Sequence, residues 1–333
     1  MALKIANTAV VDDSGNFVGE FGSLVVNNRL VFDDTRRSPE QGGGTVSGYT
    51  SGGFDGTPTQ VNTIDKFSFA ADGNATDVGD LTQARGYLTG QSSTESGYST
   101  GGDPAPSPAT NIIEKFPFSS DTNATDVGDL TEPNEMMAGQ SSFVSGYATG
   151  GQVSGLPQTN IIQKFPFSSD TNATDVGDLT RVIARATGQS STDSGYTSGG
   201  GVPVPLNTID KFPFSSDTNA TDVGDLTQAR YGLAGQSSTE SGYSSGGVPV
   251  VNTIDKFPFA ADANGTDVGE LTQARAGAAG QSSTQSGYTS TGSAPSIPGR
   301  SDTIDKFPFA ADGNATDVGE LTQGRYSAAG QQV

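Results

Sequence analysis

The chain has 333 residues, of which 37 are acidic and 17 basic, and it contains no histidine, cysteine or tryptophan. These absences exclude a disulfide framework, a zinc finger, a thiol nucleophile and an imidazole base. The net charge of −20, with no cluster of Lys or Arg, argues against binding to nucleic acid or to an anionic membrane. No apolar run is long enough for a transmembrane helix, so we expect no membrane insertion. The first residues do not match a secretory signal.

The chain opens with a segment that differs from everything after it. Residues 1–32 alternate apolar and polar positions, and the turn sequences at 13–16 (DSGN) and 27–28 (NN) predict one or two β-hairpins. Residues 33–43 are polar and glycine-rich, which predicts a linker. A segment this short does not bury a core alone. We therefore expect residues 1–32 to dock on another chain or to oligomerise, for example by strand addition.

A repeat of 45 to 50 residues fills the remainder of the chain, and this period is typical of kelch and WD40 propellers. Its marker is the phrase TDVGDL or TDVGEL, with the aspartate at Asp77, Asp126, Asp175, Asp222, Asp267 and Asp317. Each unit holds four short segments with strand-like alternation between turn residues. In one unit these strands, named A to D, are predicted over about 89–93, 97–101, 111–118 and 125–130. The pattern predicts an all-β fold, a six-bladed β-propeller with four-stranded blades.

The two ends of the repeat region predict how the ring closes. The first strand B, over 47–53, has no strand A before it, and the last strand A, over 326–331, has no strand B after it. Pairing the two completes the sixth blade and removes the exposed sheet edges. We therefore divide the chain into a docking segment (1–32), a linker (33–43) and a propeller (44–333).

Two resemblances follow from the repeat. The double glycine at 246–247, the aromatic strand at 257–259 and Arg275 before strand A resemble the kelch pattern, although Val268 or Leu271 stands where kelch strand D carries tryptophan. More closely, the KFPF…DxNATDVGDLTxAR…GQSSTxSGY units, over about 44–333, resemble repeat-bearing structural proteins of tailed bacteriophages, of the type that infects marine cyanobacteria. The opening LKIANTAVVDDSGNF also resembles the N-terminal segments of phage tail-fibre proteins.

The phage resemblance implies a virion protein that is assembled in the host cytoplasm and is oligomeric in the particle. It implies contacts with other virion proteins through residues 1–32, and a propeller that binds either a host-surface glycan or protein or a neighbouring virion protein. A tail fibre or a similar appendage is the first assignment. The alternative is a purely structural capsid decoration or baseplate component with no host ligand.

Several polar residues recur in all six units. Asp72, Asn74 and Asp77 and their equivalents have oxygen spacing that suits calcium, but the pattern departs from the EF-hand loop, and an Asx-type turn is the favoured interpretation. The same turn explains the recurring N-x-T better than glycosylation does. A lysine at one strand C position is expected to pack its stem between blades and to pair with an acid such as the TDVG aspartate. We expect neither a metal nor another cofactor.

Catalysis is disfavoured by the same repetition, because a glycosidase needs two carboxylates in special surroundings. Propeller sialidases carry Asp-boxes, and galactose-oxidase-like kelch enzymes carry Cys and His ligands, and neither set occurs in this sequence. We therefore expect a protein that is not an enzyme, and a polysaccharide-degrading activity is the least favoured alternative.

Differences among the units point to one face. The A–B and C–D turns are nearly uniform, whereas the B–C loops and D–A segments, which emerge together on the other face, diverge in length and sequence. An arginine before strand A recurs in four units, either as a ring that contacts an anionic ligand or, as we favour, as a donor to loop carbonyls. The mix of aromatic, Met and Arg side chains predicts a binding face. Its candidate residues are Tyr87, Met136, Met137, Arg185, Tyr231, Arg275 and Tyr326.

Overall fold

The computed structural model describes four short strands before residue 46 and, from 46 to 333, every residue except 57–58, 105, 107, 154–156, 202–203 and 294–299. Every regular element in this part of the chain is a β-strand, so the predicted all-β class is confirmed. Among the same residues no helix is long and apolar enough to cross a membrane. The chain forms two compact units, Met1–Glu40 and Gln41–Val333.

The first unit contains two antiparallel strand pairs. Strand β1 (Lys4–Ile5) pairs with β2 (Thr8–Ala9), and β3 (Ser23–Val26) pairs with β4 (Arg29–Asp33). The predicted β-rich opening is therefore confirmed. The predicted turns and the predicted linker after Asp33 lie outside the described residues, and the docking role of the segment stays a prediction.

The second unit is a six-bladed β-propeller, in which each blade is an antiparallel sheet with strands in the order A–B–C–D. Blade 1 consists of β30 (Ala329–Gln332), β5 (Ser47–Ser51), β6 (Thr63–Ser68) and β7 (Thr76–Asp80). Blade 2 consists of β8 (Thr89–Ser92), β9 (Ser96–Thr100), β10 (Ile112–Pro117) and β11 (Thr125–Asp129). Blade 3 consists of β13 (Ala138–Ser141), β14 (Ser145–Thr149), β16 (Ile161–Pro166) and β17 (Thr174–Asp178).

The remaining blades repeat this arrangement. Blade 4 consists of β18 (Thr187–Ser190), β19 (Ser194–Ser198), β20 (Thr208–Pro213) and β21 (Thr221–Asp225). Blade 5 consists of β22 (Ala234–Ser237), β23 (Ser241–Ser245), β24 (Thr253–Pro258) and β25 (Thr266–Glu270). Blade 6 consists of β26 (Ala279–Ser282), β27 (Ser286–Ser290), β28 (Thr303–Pro308) and β29 (Thr316–Glu320). Two short strands, β12 (Asn134–Glu135) and β15 (Gln152–Val153), pair outside the blades.

The ring closes as predicted. Strand β30, near the end of the chain, pairs antiparallel with β5, which opens the propeller, from Ala329 opposite Ser51 to Gln332 opposite Gly48. Beyond the strand, the amide of Ser47 donates to the carbonyl of Val333 at 3.0 Å. Blade 1 is thus built from both ends of the propeller, and no blade in the described residues is left with an unpaired strand A.

Aromatic side chains fill the seams between blades. The strand B tyrosine of each blade packs on two phenylalanines of the next blade, one within strand C and one directly after it. Tyr98 lies 5.5 Å from the ring of Phe165 and stacks on Phe167 at 4.8 Å. The glycine before each tyrosine is required for a separate reason, because a β-carbon at Gly97 would clash with the ring of Phe116 in its own blade. The SGY and KFPF sequences therefore supply the two sides of one aromatic contact between adjacent blades. The seam tyrosines are Tyr49, Tyr98, Tyr147, Tyr196, Tyr243 and Tyr288.

Buried polar groups link the same blades in closed rings. In each strand A a buried glutamine donates from Nε2 to the carbonyl of the next blade's seam tyrosine, as Gln91 does to Tyr147 at 3.0 Å. The ring is completed by Gln331, which donates to Tyr98 at 3.0 Å. The six donors are Gln91, Gln140, Gln189, Gln236, Gln281 and Gln331. Because buried amides are costly without partners, these rings favour one blade register over others.

The repeated lysines form a further ring, with a partner other than the predicted one. Lys66 Nζ lies 3.1 Å from Asp121 Oδ1, the first aspartate of the D-x-N turn in the next blade. The TDVG aspartate does not take this role, because Asp77 Oδ1 instead accepts the amide of Gly79 in its own strand at 3.1 Å. The predicted pairing with an acid and the placement between blades are therefore confirmed, but the TDVG aspartate named as the example was the wrong acid. The other pairs are Lys115–Asp170, Lys164–Asp217, Lys211–Asp262, Lys256–Asp312 and Lys306–Asp72.

Candidate binding face

The B–C loops and D–A segments lie side by side, and together they are called the loop face below. Short backbone bridges join the two segments in each blade: in blade 1 Phe54 pairs with Tyr326, and in blade 2 Gly86 pairs with Asp103. The pairing of β12 with β15 does the same in blade 3. In blade 4 the amide of Gly201 donates to Ala184 at 2.8 Å. Both divergent sets of segments therefore share one surface, as the blade topology predicted.

A closed ring of backbone hydrogen bonds surrounds the propeller axis on the loop face. Its members stand two residues before strand A in each blade, and each amide donates to the carbonyl of the preceding blade's member at 2.6 to 2.9 Å. All six adopt positive φ, between 54° and 66°. This axial ring consists of Tyr87, Met136, Arg185, Gly232, Gly277 and Ser327.

The positive φ values identify residues that the repeat alone does not single out. Tyr87, Met136, Arg185 and Ser327 hold a backbone conformation that side-chain-bearing residues rarely adopt. Such strain costs of the order of 1 kcal/mol per residue and persists where the surroundings enforce it, frequently at ligand sites. Here the ring of hydrogen bonds enforces it. Side chains at these positions are consequently held in fixed places around the axis.

The side chains of the axial ring are large on one side of the axis and small on the other. Tyr87, Met136 and Arg185 are consecutive members and touch: Arg185 Nε lies 3.2 Å from Met136 Sδ, and Arg185 Nη2 lies 3.4 Å from the hydroxyl of Tyr87. The guanidinium also lies over the rings of Tyr87, at 5.1 Å, and of Tyr231, at 5.8 Å. Four of the predicted face residues, Tyr87, Met136, Arg185 and Tyr231, are thus in one cluster at the axis.

An aromatic row continues from this cluster. The ring of Phe54 lies 4.9 Å from Tyr87 in an edge contact and 5.2 Å from Tyr326 in a stacked contact. Phe54 itself is buried, while both tyrosines are half-buried. At the far end, the guanidinium of Arg300 lies 4.4 Å over the ring of Tyr326. Sequence reasoning missed Phe54 and Arg300, because it treated the B–C loops as variable strings rather than residue by residue.

Two acids lie near the arginine cluster. Burial, together with the charge of Asp103, raises the pKa of Glu135 to about 7, and Arg185 opposes the shift. Burial also raises the pKa of Asp103. Arg185 thus lies within electrostatic reach of a partly protonated carboxyl group, but among the described side chains it forms no ion pair.

Two predicted face residues are not on the surface. Arg275 is fully buried and pairs with Asp305 at 2.9 Å while donating to the carbonyl of Thr289 at 2.9 Å. Met137 is 5% exposed and packs in the seam against residues such as Leu130 and Phe165. Neither side chain can reach a ligand on this face. The axial ring explains the difference for Met137, since the chain turns at Met136 and points the next side chain inward.

The other repeated arginines share this buried position. Each donates to a strand B carbonyl and pairs with the acid that precedes the strand C lysine of its own blade, as in Arg230–Asp255 at 2.8 Å. The favoured donation to carbonyls is found, with two corrections: the shared acceptors lie in strand B rather than in loops, and an ion pair accompanies the donation. Contact with a ligand is excluded by their zero exposure. The four are Arg85, Arg230, Arg275 and Arg325.

Blades 3 and 4 replace this pair. In blade 3 Asn134 stands for the arginine and Gln163 for the acid, so both charges are absent. In blade 4 Ile183 stands for the arginine, while the acid, Asp210, is kept and is only 4% exposed. Burial raises the pKa of Asp210, against the hydrogen bonds from Thr180 that lower it.

The candidate calcium ligands are engaged with the protein. Asp72 pairs with Lys306 at 2.9 Å, Asn74 Oδ1 accepts the amide of Glu320 at 3.2 Å, and Asp77 accepts the amide of Gly79. The asparagine therefore caps the neighbouring blade's strand D. No grouping of three or more Asp or Glu side chains fit for a metal occurs in the described part of the chain.

Comparison with known proteins finds no family model that matches this chain. It finds no similar protein among those with curated descriptions either.

Proposed function

We propose that this protein is a structural component of a tailed-phage virion, a tail fibre or similar appendage, whose propeller displays the loop face for binding. Its ligand is a glycan or protein of the host surface, or a neighbouring virion protein. The virion assignment is supported by the resemblance of the repeats and of the opening segment. The binding assignment is supported by the loop face itself.

The observation that carries the binding proposal is the contrast between the two faces. Relaxed constraint would let the turns on both faces diverge, yet the A–B turns keep one hydrogen-bonded form. In this form a serine hydroxyl accepts a hydrogen bond from the amide three residues later, as Ser93 does from Ser96 at 2.9 Å. The B–C and D–A segments differ in every blade while resting on the same rigid rings. Selection for a particular surface explains divergence that is restricted to one face.

The experiment screens the fluorescently labelled chain against marine bacterial cells and against a bacterial glycan array. In the test variant, the B–C loops over 54–61 and 103–110 are exchanged for the four-residue loop 248–251 of blade 5. In the control variant, Phe143→Thr and Val144→Glu give the A–B turn of blade 3 the sequence found in other blades. We expect the loop exchange to abolish binding and the control to retain it. Equal binding by both variants, or no binding by the unmodified chain, would overturn the proposal.

One observation favours the purely structural alternative. Phe143 and Val144 are 37% and 68% exposed on the A–B side, where the other turns carry polar residues. A capsid or baseplate component that docks through this side would lose assembly in the Phe143→Thr, Val144→Glu variant and keep it after loop exchange. Release of reducing sugar from host polysaccharide would instead support an enzyme.

A further inference from the structure

We propose that Arg185, Tyr87 and Tyr326 form a subsite for an acidic saccharide, one whose sugar ring carries a carboxylate. The inference rests on the proposed function, because it names the chemistry of the ligand that the loop face takes. It is carried by an arginine that forms no ion pair with any described residue, and by the aromatic row beside it.

The environment of Arg185 leaves the guanidinium able to accept an anion. The four buried arginines described above each pair with a carboxylate, and the exposed Arg181 lies 3.7 Å from Asp222. Arg185 is instead held by Met136 and between the rings of Tyr87 and Tyr231. The contacts with Met136 and with the Tyr87 hydroxyl engage Nε and one hydrogen of Nη2. Nη1 and the other hydrogen of Nη2 are left as a pair of donors, the arrangement that recognises a carboxylate through two parallel hydrogen bonds.

The aromatic row supplies the second part of the subsite. Tyr87 and Tyr326 are half-buried, and buried Phe54 between them holds both rings in place. Rings supported in this way offer an apolar surface and a hydroxyl at little cost in side-chain entropy. The C–H face of a pyranose fits such a surface. Arg300, over Tyr326 at 4.4 Å, places a second cation at the opposite end of the row.

Charge selects against more highly charged ligands. The protein carries a net charge of −20, and Glu135 and Asp103 lie near Arg185 and Tyr87. A phosphate monoester dianion would be repelled by these acids, since it brings more negative charge than one guanidinium neutralises. A sugar acid brings one charge per ring, and its hydroxyls can donate hydrogen bonds to Glu135 and Asp103.

The test measures binding of tetragalacturonate to the whole chain by titration calorimetry. We expect Arg185→Gln to weaken binding by at least about tenfold, the loss of one charge-assisted contact. Arg185→Lys keeps the charge without the planar fork, and we expect it to recover part of the affinity. Arg181→Gln, on the same segment but in an existing ion pair, is the matched control and should bind as the unmodified chain does. The melting temperature of each variant is measured alongside.

Two further probes separate the contribution of the carboxylate from that of the sugar rings. The methyl ester of tetragalacturonate has the same rings without the charge, and we expect it to bind at least about tenfold more weakly. Tetraglutamate has the charge without the rings, and we expect no measurable binding. Tyr326→Ala should weaken binding of the acidic saccharide.

The proposal is overturned if tetraglutamate binds as well as tetragalacturonate, if the ester binds equally, or if Arg185→Gln and Arg181→Gln bind alike. It is also overturned if tetragalacturonate does not bind the folded, unmodified chain. Such a result leaves the broader function standing wherever the loop exchange still abolishes binding to cells or glycans, so the two failures are distinguishable.

Discussion

The seams between blades and the loop face follow opposite rules. In the seams, one contact is repeated with little change: the lysine–aspartate pairs span 2.7 to 3.1 Å, and the glutamine–tyrosine hydrogen bonds are 3.0 Å throughout. On the loop face, no two blades carry the same side chains. Stability spread over identical seams leaves each loop free to change, because no single loop holds the ring together.

The largest expected effect comes from breaking the ring itself. Deleting residues 329–333 removes strand A of blade 1 with the Gln331 that links it to blade 2. The inner edge of β5 would be exposed and unpaired. We expect loss of the single cooperative unfolding transition, measured by circular dichroism and calorimetry. Gln332→Ser is the control, since the equivalent position is serine in the other five blades, and a similar loss there would contradict this account.

The buried pair between an arginine and an acid is present in some blades and absent in others of similar structure. Arg275→Ile copies the Ile183 of blade 4 and leaves Asp305 buried without its partner. We expect a loss of about 3 to 5 kcal/mol in the free energy of unfolding, as for other buried pairs broken on one side. Chemical denaturation measures it.

The double variant Arg275→Asn, Asp305→Gln copies blade 3, which lacks both charges, and serves as the control. We expect it to recover much of the lost free energy. If the single and double variants are equally destabilised, the penalty does not come from the unpaired acid.

The pH dependence of stability tests Glu135 on the loop face. Its folded pKa is about 7, above the ordinary value near 4.5, so the folded chain holds this proton more tightly than the unfolded chain. Stability is therefore expected to fall as pH rises from about 4.5 to about 7 and then to level off. The chain has no histidine, so few other groups titrate near the top of this window.

Glu135→Gln should remove this component while leaving the seams intact. We expect the variant to melt at a higher temperature than the unmodified chain at pH 8, with the gap closing below pH 5. A constant gap at every pH would contradict the assignment of the shift to Glu135.

The smallest expected effect concerns the outer ion pairs. Lys211 and Asp262 are 29% and 60% exposed at their side chains, and exposed pairs contribute about 0 to 1 kcal/mol. Lys211→Met keeps the apolar stem and removes the charge. We expect a change of that size in the free energy of unfolding, and salt titration should reduce it. A loss comparable to that of Arg275→Ile would show that the outer ring, too, is a principal source of stability.

Sequence predicted the propeller because its features are local and repeated. Strand alternation, the SGY and KFPF phrases and the unpaired ends at Ser47 and Gln331 were sufficient for the strands, the blade number and the closure. The partner of Lys66 was wrong because the acid it meets depends on the offset between neighbouring blades, which no single unit encodes.

The candidate site was predicted less completely. Arg275 lies beside divergent segments and so was assigned to the surface, but its partner Asp305 lies on strand C. A signal was present, because blade 3 replaces both the arginine and the acid, by Asn134 and Gln163. Phe54 was missed for a different reason: its contact with Tyr326 joins the first B–C loop to the last D–A segment, and only ring closure brings these together.

The most direct test of the division between seams and loop face measures melting and ligand binding in one variant. The B–C loops of the other five blades are replaced by the four-residue loop of blade 5, residues 248–251, with every seam residue unchanged. We predict cooperative unfolding close to that of the unmodified chain, together with loss of binding to the cells or glycans that the unmodified chain recognises. Retained binding, or collapse of the cooperative transition, would contradict the account.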